Sequence, residues 1–155
     1  MKVFMTGATG FVGSRVLPRL LQAGHEVIAL VRNEKAAAQL KVKGAEPVLG
    51  DLESLDTIAQ AARQADAVVH LAFIHDFNNF EASCAVDIRV MDTILGSLAG
   101  TGKPFVVTSA SSVIGDTGDA LAPETAPDAG RNPRQSEAGV IKVRQIKINR
   151  GREIS

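Results

Sequence analysis

Three glycines recur at every third position in the run Thr6-Gly7-Ala8-Thr9-Gly10-Phe11-Val12-Gly13. Glycine accepts the positive φ of a tight turn, lets backbone amides approach a bound group and lets a helix pack closely on a strand. A helix starting there would turn its free N–H groups and the positive end of its dipole toward an anion. The anion that fits is the pyrophosphate of a dinucleotide, held by Gly7, Thr9, Gly10, Phe11, Val12 and Gly13. The plainer alternative is that the glycines only close a turn, and the surrounding elements must decide between the two.

Two further positions could carry chemistry. Arg32 follows the apolar run Val27–Val31, and at the end of a second strand an arginine accommodates a 2′-phosphate whereas an acid bonds a ribose 2′-OH. No acid stands at that strand end, so NADP is expected; Glu34, two residues on, keeps NAD as the alternative, and a solvated arginine is the plain one. His75 and Asp76 follow the fourth apolar run, and a histidine there could move a proton near neutral pH. Its alternative is an exposed loop histidine. Cys84 reads as a small core residue, and no group of residues has metal-ligand spacing, so no metal is expected.

These residues need a scaffold, and the chain supplies β-rich apolar runs alternating with helical periods. Strands are expected at Lys2–Thr6, Glu26–Val31, Glu46–Leu49, Ala67–Ala72 and Pro104–Ser109, with crossover helices at Gly10–Ala23, Glu34–Val42, Leu55–Gln64 and Phe80–Ala99. That alternation predicts an α/β fold, a doubly wound parallel sheet with helices on both faces. Gly24 and Gly44 fall where helix C-caps are wanted, Asp51 and Ser54 where the third helix needs an N-cap. Pro18 lies inside the first helix and predicts a bend without a break. From Asp116 to Pro133 the chain reads as a long loop.

The 155 residues suit one domain, with 45% hydrophobic content to build its core. Net charge is zero, which argues against nucleic acid or an anionic membrane as partner. Residues 131–155 nevertheless carry seven Lys/Arg against two acids. Within them, residues 138–148 alternate apolar and basic side chains, as an edge strand or a poorly ordered basic tail would. The domain is accordingly expected at 1–137 and a divergent tail at 138–155. One cysteine, no apolar signal core at the N-terminus and no run of the roughly 20 apolar residues a membrane span needs point to a cytoplasmic protein.

At these residues the chain resembles the short-chain dehydrogenase/reductase superfamily, in its extended and atypical branch, the NAD-dependent epimerase/dehydratase-like group. The glycine run matches its TGxxGxxG turn. Gly24-His25-Glu26-Val27, Gly50-Asp51-Leu52, Val69-His70-Leu71-Ala72 and Phe105-Val106-Val107-Thr108-Ser109 through Val113-Ile114-Gly115-Asp116 match in order, over about residues 1–137. The resemblance implies a Rossmann fold binding NADP or NAD, with Asp51 and the adjoining Leu52 at the adenine, and Leu71, Ala72 and Phe73 beside the nicotinamide ribose. It further implies Thr108 and Ser109 at the nicotinamide end, structural roles for His25 and His70, a small carbonyl or hydroxyl compound as substrate, and a homodimer through two helices, one corresponding to Phe80–Ala99 and the other to the segment after the position where relatives carry a tyrosine.

Catalysis in that superfamily uses a tyrosine whose pKa is lowered by a lysine four residues on. This chain has no tyrosine, and Asn132-Pro133-Arg134-Gln135-Ser136-Glu137 stands in the corresponding region. Ala110 falls at the supporting Ser/Thr position, which leaves Ser109 and Ser111 as the candidates to polarise a carbonyl. Extended relatives also carry a C-terminal substrate region. Either residues 110–135 make the substrate contacts, or the chain is a truncated or divergent version whose function is dinucleotide binding without catalysis.

Overall fold

Strand β1, Lys2–Thr6, is apolar on both faces, and that is what a strand covered by helices on both sides requires. The computed structural model describes residues 1–110, 117–119, 121 and 123. It divides into two units, Met1–Thr108 and Ser109–Ser155. The expected boundary at 137/138, the 138–148 alternation and most of the 116–133 loop lie outside the described residues.

In the first unit, β1 is followed by α1 (Gly13–Gln22), β2 (Glu26–Val31), α2 (Glu34–Val42), β3 (Glu46–Leu49), α3 (Leu55–Gln64), β4 (Ala67–His70), α4 (Phe80–Leu98) and β5 (Phe105–Val107). The strands pair in the order β3-β2-β1-β4-β5, all neighbours parallel. This is the Rossmann arrangement, in which the strand order reverses between β1 and β4 and the carboxyl ends of all strands lie along one edge.

Two apolar layers hold it together. On one face Phe4, Ile28, Leu30 and Val68 pack against Ile58, Ala61 and Ala62 of α3 and Val90, Ile94 and Leu98 of α4. On the other, Met5, Val27, Ala29 and Val31 pack against Leu17 of α1 and Ala37 and Leu40 of α2. The alternation of faces along β1 and β2 therefore assigns each helix its side of the sheet.

The elements differ from expectation at their ends. Helix α1 begins at Gly13 and not at Gly10, because residues 7–12 are spent on the turn. It runs through Pro18 unbroken. Gly24 and Gly44, with φ of 79° and 91°, stand one residue past the C-caps Ala23 and Lys43. Ser54 occupies the N-cap of α3 without making a cap bond. Strands β4 and β5 stop two residues earlier than their apolar runs, since Leu71, Ala72, Thr108 and Ser109 pass beyond the paired ladder.

Candidate functional site

The glycine turn leaves β1 at Thr6 and delivers the chain to α1. Gly7 takes φ of 72° and lies so close to the end of β4 that a Cβ there would stand 2.7 Å from the Ala72 nitrogen. A Cβ on Gly13 would stand 2.0 Å from the Gly7 carbonyl oxygen, and one on Gly10 3.2 Å from it. The turn closes through the Gly10 N–H donating to the Gly7 carbonyl at 3.0 Å, and the Ser14 N–H to the Gly10 carbonyl at 2.8 Å.

Helix α1 then starts uncapped. Its N-cap is Val12, which has no capping side chain, and its first turn contains no acid. Every other described helix has one or the other: Asn33 caps α2 by accepting from the Ala36 N–H at 2.9 Å, while Asp56 and Glu81 lie in the first turns of α3 and α4. Asp76 caps the short 3-10 turn Phe77–Asn79 ahead of α4, accepting from the Asn78 N–H at 3.1 Å. Among the described residues no protein acceptor takes the N–H groups of Phe11, Val12 or Gly13. The start of α1 is thus electropositive and open, and it fits a diphosphate. Thr9, Gly10, Phe11 and Val12 are exposed around it, and the Arg15 guanidinium lies 5.1 Å from the centre of the Phe11 ring.

On the β2/β3 side, Arg32 is exposed directly beyond β2, and the Gly50 N–H donates to the Val31 carbonyl at 2.9 Å, bringing Asp51 beside it. Asp51 Oδ1 accepts from the Glu53 N–H, the Ser54 N–H and the Ser54 hydroxyl, at 3.0, 3.0 and 2.9 Å. The Ser54 hydroxyl, followed by the Glu53 amide, holds this carboxyl below its ordinary range. Asp51 therefore orders the turn before α3 through one oxygen. Leu52 is half-buried against the apolar layer beneath.

On the β4/β5 side, the Leu71 N–H donates to the Thr6 carbonyl at 3.3 Å and the Thr108 N–H to the His70 carbonyl at 3.1 Å. Leu71, Ala72 and Thr108 are thereby gathered beside the glycine turn. Phe73 is half-buried, with the His75 ring at 5.3 Å and the Phe80 ring at 6.0 Å. His75 is an exposed loop residue among aromatic rings, and Cys84 is buried on α4. His25 is half-buried in the turn before β2. Ser109 opens the second unit and donates to the Ala110 carbonyl at 3.5 Å; Ser111 lies outside the described residues. No His/Cys/Asp/Glu group that could hold a metal occurs among the described residues. No described helix is long and apolar enough to cross a membrane.

One group went unrecognised in the sequence. Thr6, His70 and Asp87, each at most 1% exposed, form a buried polar chain beneath the site. Thr6 Oγ1 is 2.6 Å from His70 Nδ1, and His70 Nε2 is 3.2 Å from Asp87 Oδ1. The available signal was an acid on the inward period of α4, in step with Ser83, Cys84, Val90, Met91 and Ile94.

Comparison with known proteins bears on the fold and the family. The chain is 45% identical over 118 residues to an uncharacterized protein of Schizosaccharomyces pombe, covering 76% of this chain and 40% of the relative. It is 47% identical over 111 residues to an uncharacterized protein of Saccharomyces cerevisiae, covering 70% and 37%. The chain thus spans less than half the length of these relatives. The crystal structure of a UDP-glucose-4-epimerase from Stenotrophomonas maltophila, with bound NAD and formylated UDP-arabinopyranose, superposes over 99% of this chain and 50% of its own with a TM-score of 0.75. At 20% identity that likeness concerns the fold. The model of the NAD dependent epimerase/dehydratase family matches residues 3–138, and the chain belongs to that family.

Proposed function

We propose that this chain binds a nicotinamide dinucleotide along the carboxyl edge of its sheet, with NADP preferred over NAD. It serves an oxidoreductase or epimerase-like reaction on a small carbonyl or hydroxyl compound. The observation that carries the reading is the start of α1, alone among the described helices in having neither a capping side chain nor an acid, behind a turn whose glycines leave its amides uncovered.

The diphosphate rests on the amides of Phe11, Val12 and Gly13, with Gly7, Thr9 and Gly10 shaping the turn. Arg32 faces the 2′-phosphate of the adenosine ribose, the second oxygen of Asp51 and the Leu52 backbone meet the adenine, and Leu71, Ala72, Phe73 and Thr108 border the nicotinamide ribose. When bound, the nicotinamide supplies or accepts a hydride. Ser109 and Ser111 polarise the substrate carbonyl.

Thermal unfolding with NADP and with NAD, repeated on Arg32→Asp, tests the cofactor reading. The wild type is expected to respond more strongly to NADP, and the variant to lose that preference. Equal responses before and after substitution overturn the role of Arg32, and no response to either nucleotide overturns the dinucleotide site.

A second reading, a dinucleotide-binding module without redox chemistry, is favoured by one observation: the chain contains no tyrosine. NADPH oxidation against a panel of carbonyl compounds separates the two. Turnover that falls with Ser109→Ala supports the enzyme; an intact thermal response with no turnover selects the module.

A further inference from the structure

We infer that Thr6, His70 and Asp87 act as positioning residues that tie the two halves of the dinucleotide site together through the Ala72 amide, an inference that rests on the cofactor reading above. Thr6 and His70 are register partners on β1 and β4. The Ala72 N–H donates to Thr6 Oγ1 at 3.2 Å, and Thr6 Oγ1 lies 2.6 Å from His70 Nδ1. Across the ring, His70 Nε2 lies 3.2 Å from Asp87 Oδ1.

The demand that every buried polar atom be paired assigns the hydrogens. A carboxylate only accepts, so Nε2 donates to Asp87. A neutral ring then leaves Nδ1 as acceptor, which the Thr6 hydroxyl satisfies while accepting from Ala72. A doubly protonated ring would instead send both Nδ1–H and the Ala72 N–H to Thr6 and leave the hydroxyl hydrogen without its partner. The chain of bonds thus has one direction, from the Ala72 amide through Thr6 and His70 to α4.

Its consequence lies at the surface above. The Leu71–Ala72 peptide is the group that a Cβ on Gly7 would strike. It is therefore the wall against which the diphosphate turn is set, and the same peptide begins the segment beside the nicotinamide ribose. Holding this peptide fixes the spacing of the two halves before cofactor arrives, which lowers the cost of ordering the site on binding.

Two experiments on the full chain test this. In the apo protein, long-range nitrogen NMR of the three histidines, with His70 assigned by its Asn variant, is expected to show His70 neutral with the proton on Nε2. A proton on Nδ1 overturns the proposal. Dissociation constants for NADP and NAD are then measured for Thr6→Ser, which keeps the hydroxyl, and Thr6→Val, which keeps the shape, at a temperature where circular dichroism shows both folded. Thr6→Val, which loses the bonds to both the Ala72 amide and His70, is expected to bind about tenfold more weakly, the size of the lost bond that holds the Ala72 amide, and Thr6→Ser within about twofold of wild type. Asp87→Asn, whose amide oxygen still accepts from Nε2, is expected to bind like Thr6→Ser. Lower melting temperatures with unchanged dissociation constants assign the network to stability alone and overturn the inference. If the wild type binds neither nucleotide, the cofactor reading falls and takes this one with it; wild-type binding that Thr6→Val leaves unchanged sinks this one alone.

Discussion

At position 13 an added methyl group would have to share space with the Gly7 carbonyl oxygen, 2.0 Å away, and with the Ala8 Cα at 2.8 Å. Backbone lies on that side, so the clash is relieved only by moving α1 off the turn. Gly13→Ala is expected to cost at least the roughly 1–3 kcal/mol typical of overpacking in urea unfolding, and to abolish the thermal response to nucleotide. Gly10→Ala, whose Cβ meets the same oxygen at 3.2 Å, is expected to lose much less stability. Asp51 gives a pH-dependent counterpart. Its carboxyl is held below the ordinary range by the Ser54 hydroxyl and the Glu53 amide. A depressed folded pKa contributes stability present above the unfolded value, about 3.9, and lost as the pH falls through the folded one. Asp51→Ala is therefore expected to be less stable than wild type at pH 7, with the difference shrinking in unfolding curves taken below about pH 4. Asp51 was legible because its constraint is local, a turn closed within three residues of itself, and the glycines because their type and spacing mark a turn whatever packs against it. Asp87 was not, because its hydrogen-bond partner lies 17 residues away.

Among the elements, α3 and α4 carry the layer beneath β1 and β4, with Ile58 and Ile94 fully buried between helices and sheet. Ile94→Ala removes three carbons from that layer and is expected to cost about 2–5 kcal/mol in denaturant unfolding. The larger value applies if the two helices cannot close the gap. Because α4 also supports His70 through Asp87, a measured fall in nucleotide affinity alongside the loss of stability would mean that the helix has shifted. Helices α2 and α3 and strands β1, β2 and β3 have the bounds read from periodicity and apolar runs. The ends of β4 and β5 and the start of α1 do not. Apolar character continues through Leu71 and Ala72, but strand pairing ends where the chain must turn toward the site, and the glycine turn takes residues that a helical pattern would also accept.

Across the whole first unit, the strand order sets the site out as a line: Arg32 and Asp51 beyond β2 and β3, the glycine turn beyond β1, and Leu71, Ala72 and Thr108 beyond β4 and β5. A ligand that bridges this line links segments far apart in the chain. Nucleotide at 100 times its dissociation constant is expected to add about 2.7 kcal/mol of apparent stability. Hydrogen exchange should show protection rising together at the ends of β1, β2 and β4, and protection confined to the glycine turn would mean that the ligand does not span the edge. The amino-acid sequence alone determined the alternating elements, the parallel sheet, the glycine turn and the lack of a tyrosine, since periodicity, φ preference and composition act within a few residues. Only the tertiary structure decided that Gly7 abuts the Ala72 amide and that Thr6, His70 and Asp87 meet beneath it. Those contacts join residues 17 to 66 positions apart, and which buried polar groups face each other depends on strand order and on the side of the sheet each helix takes.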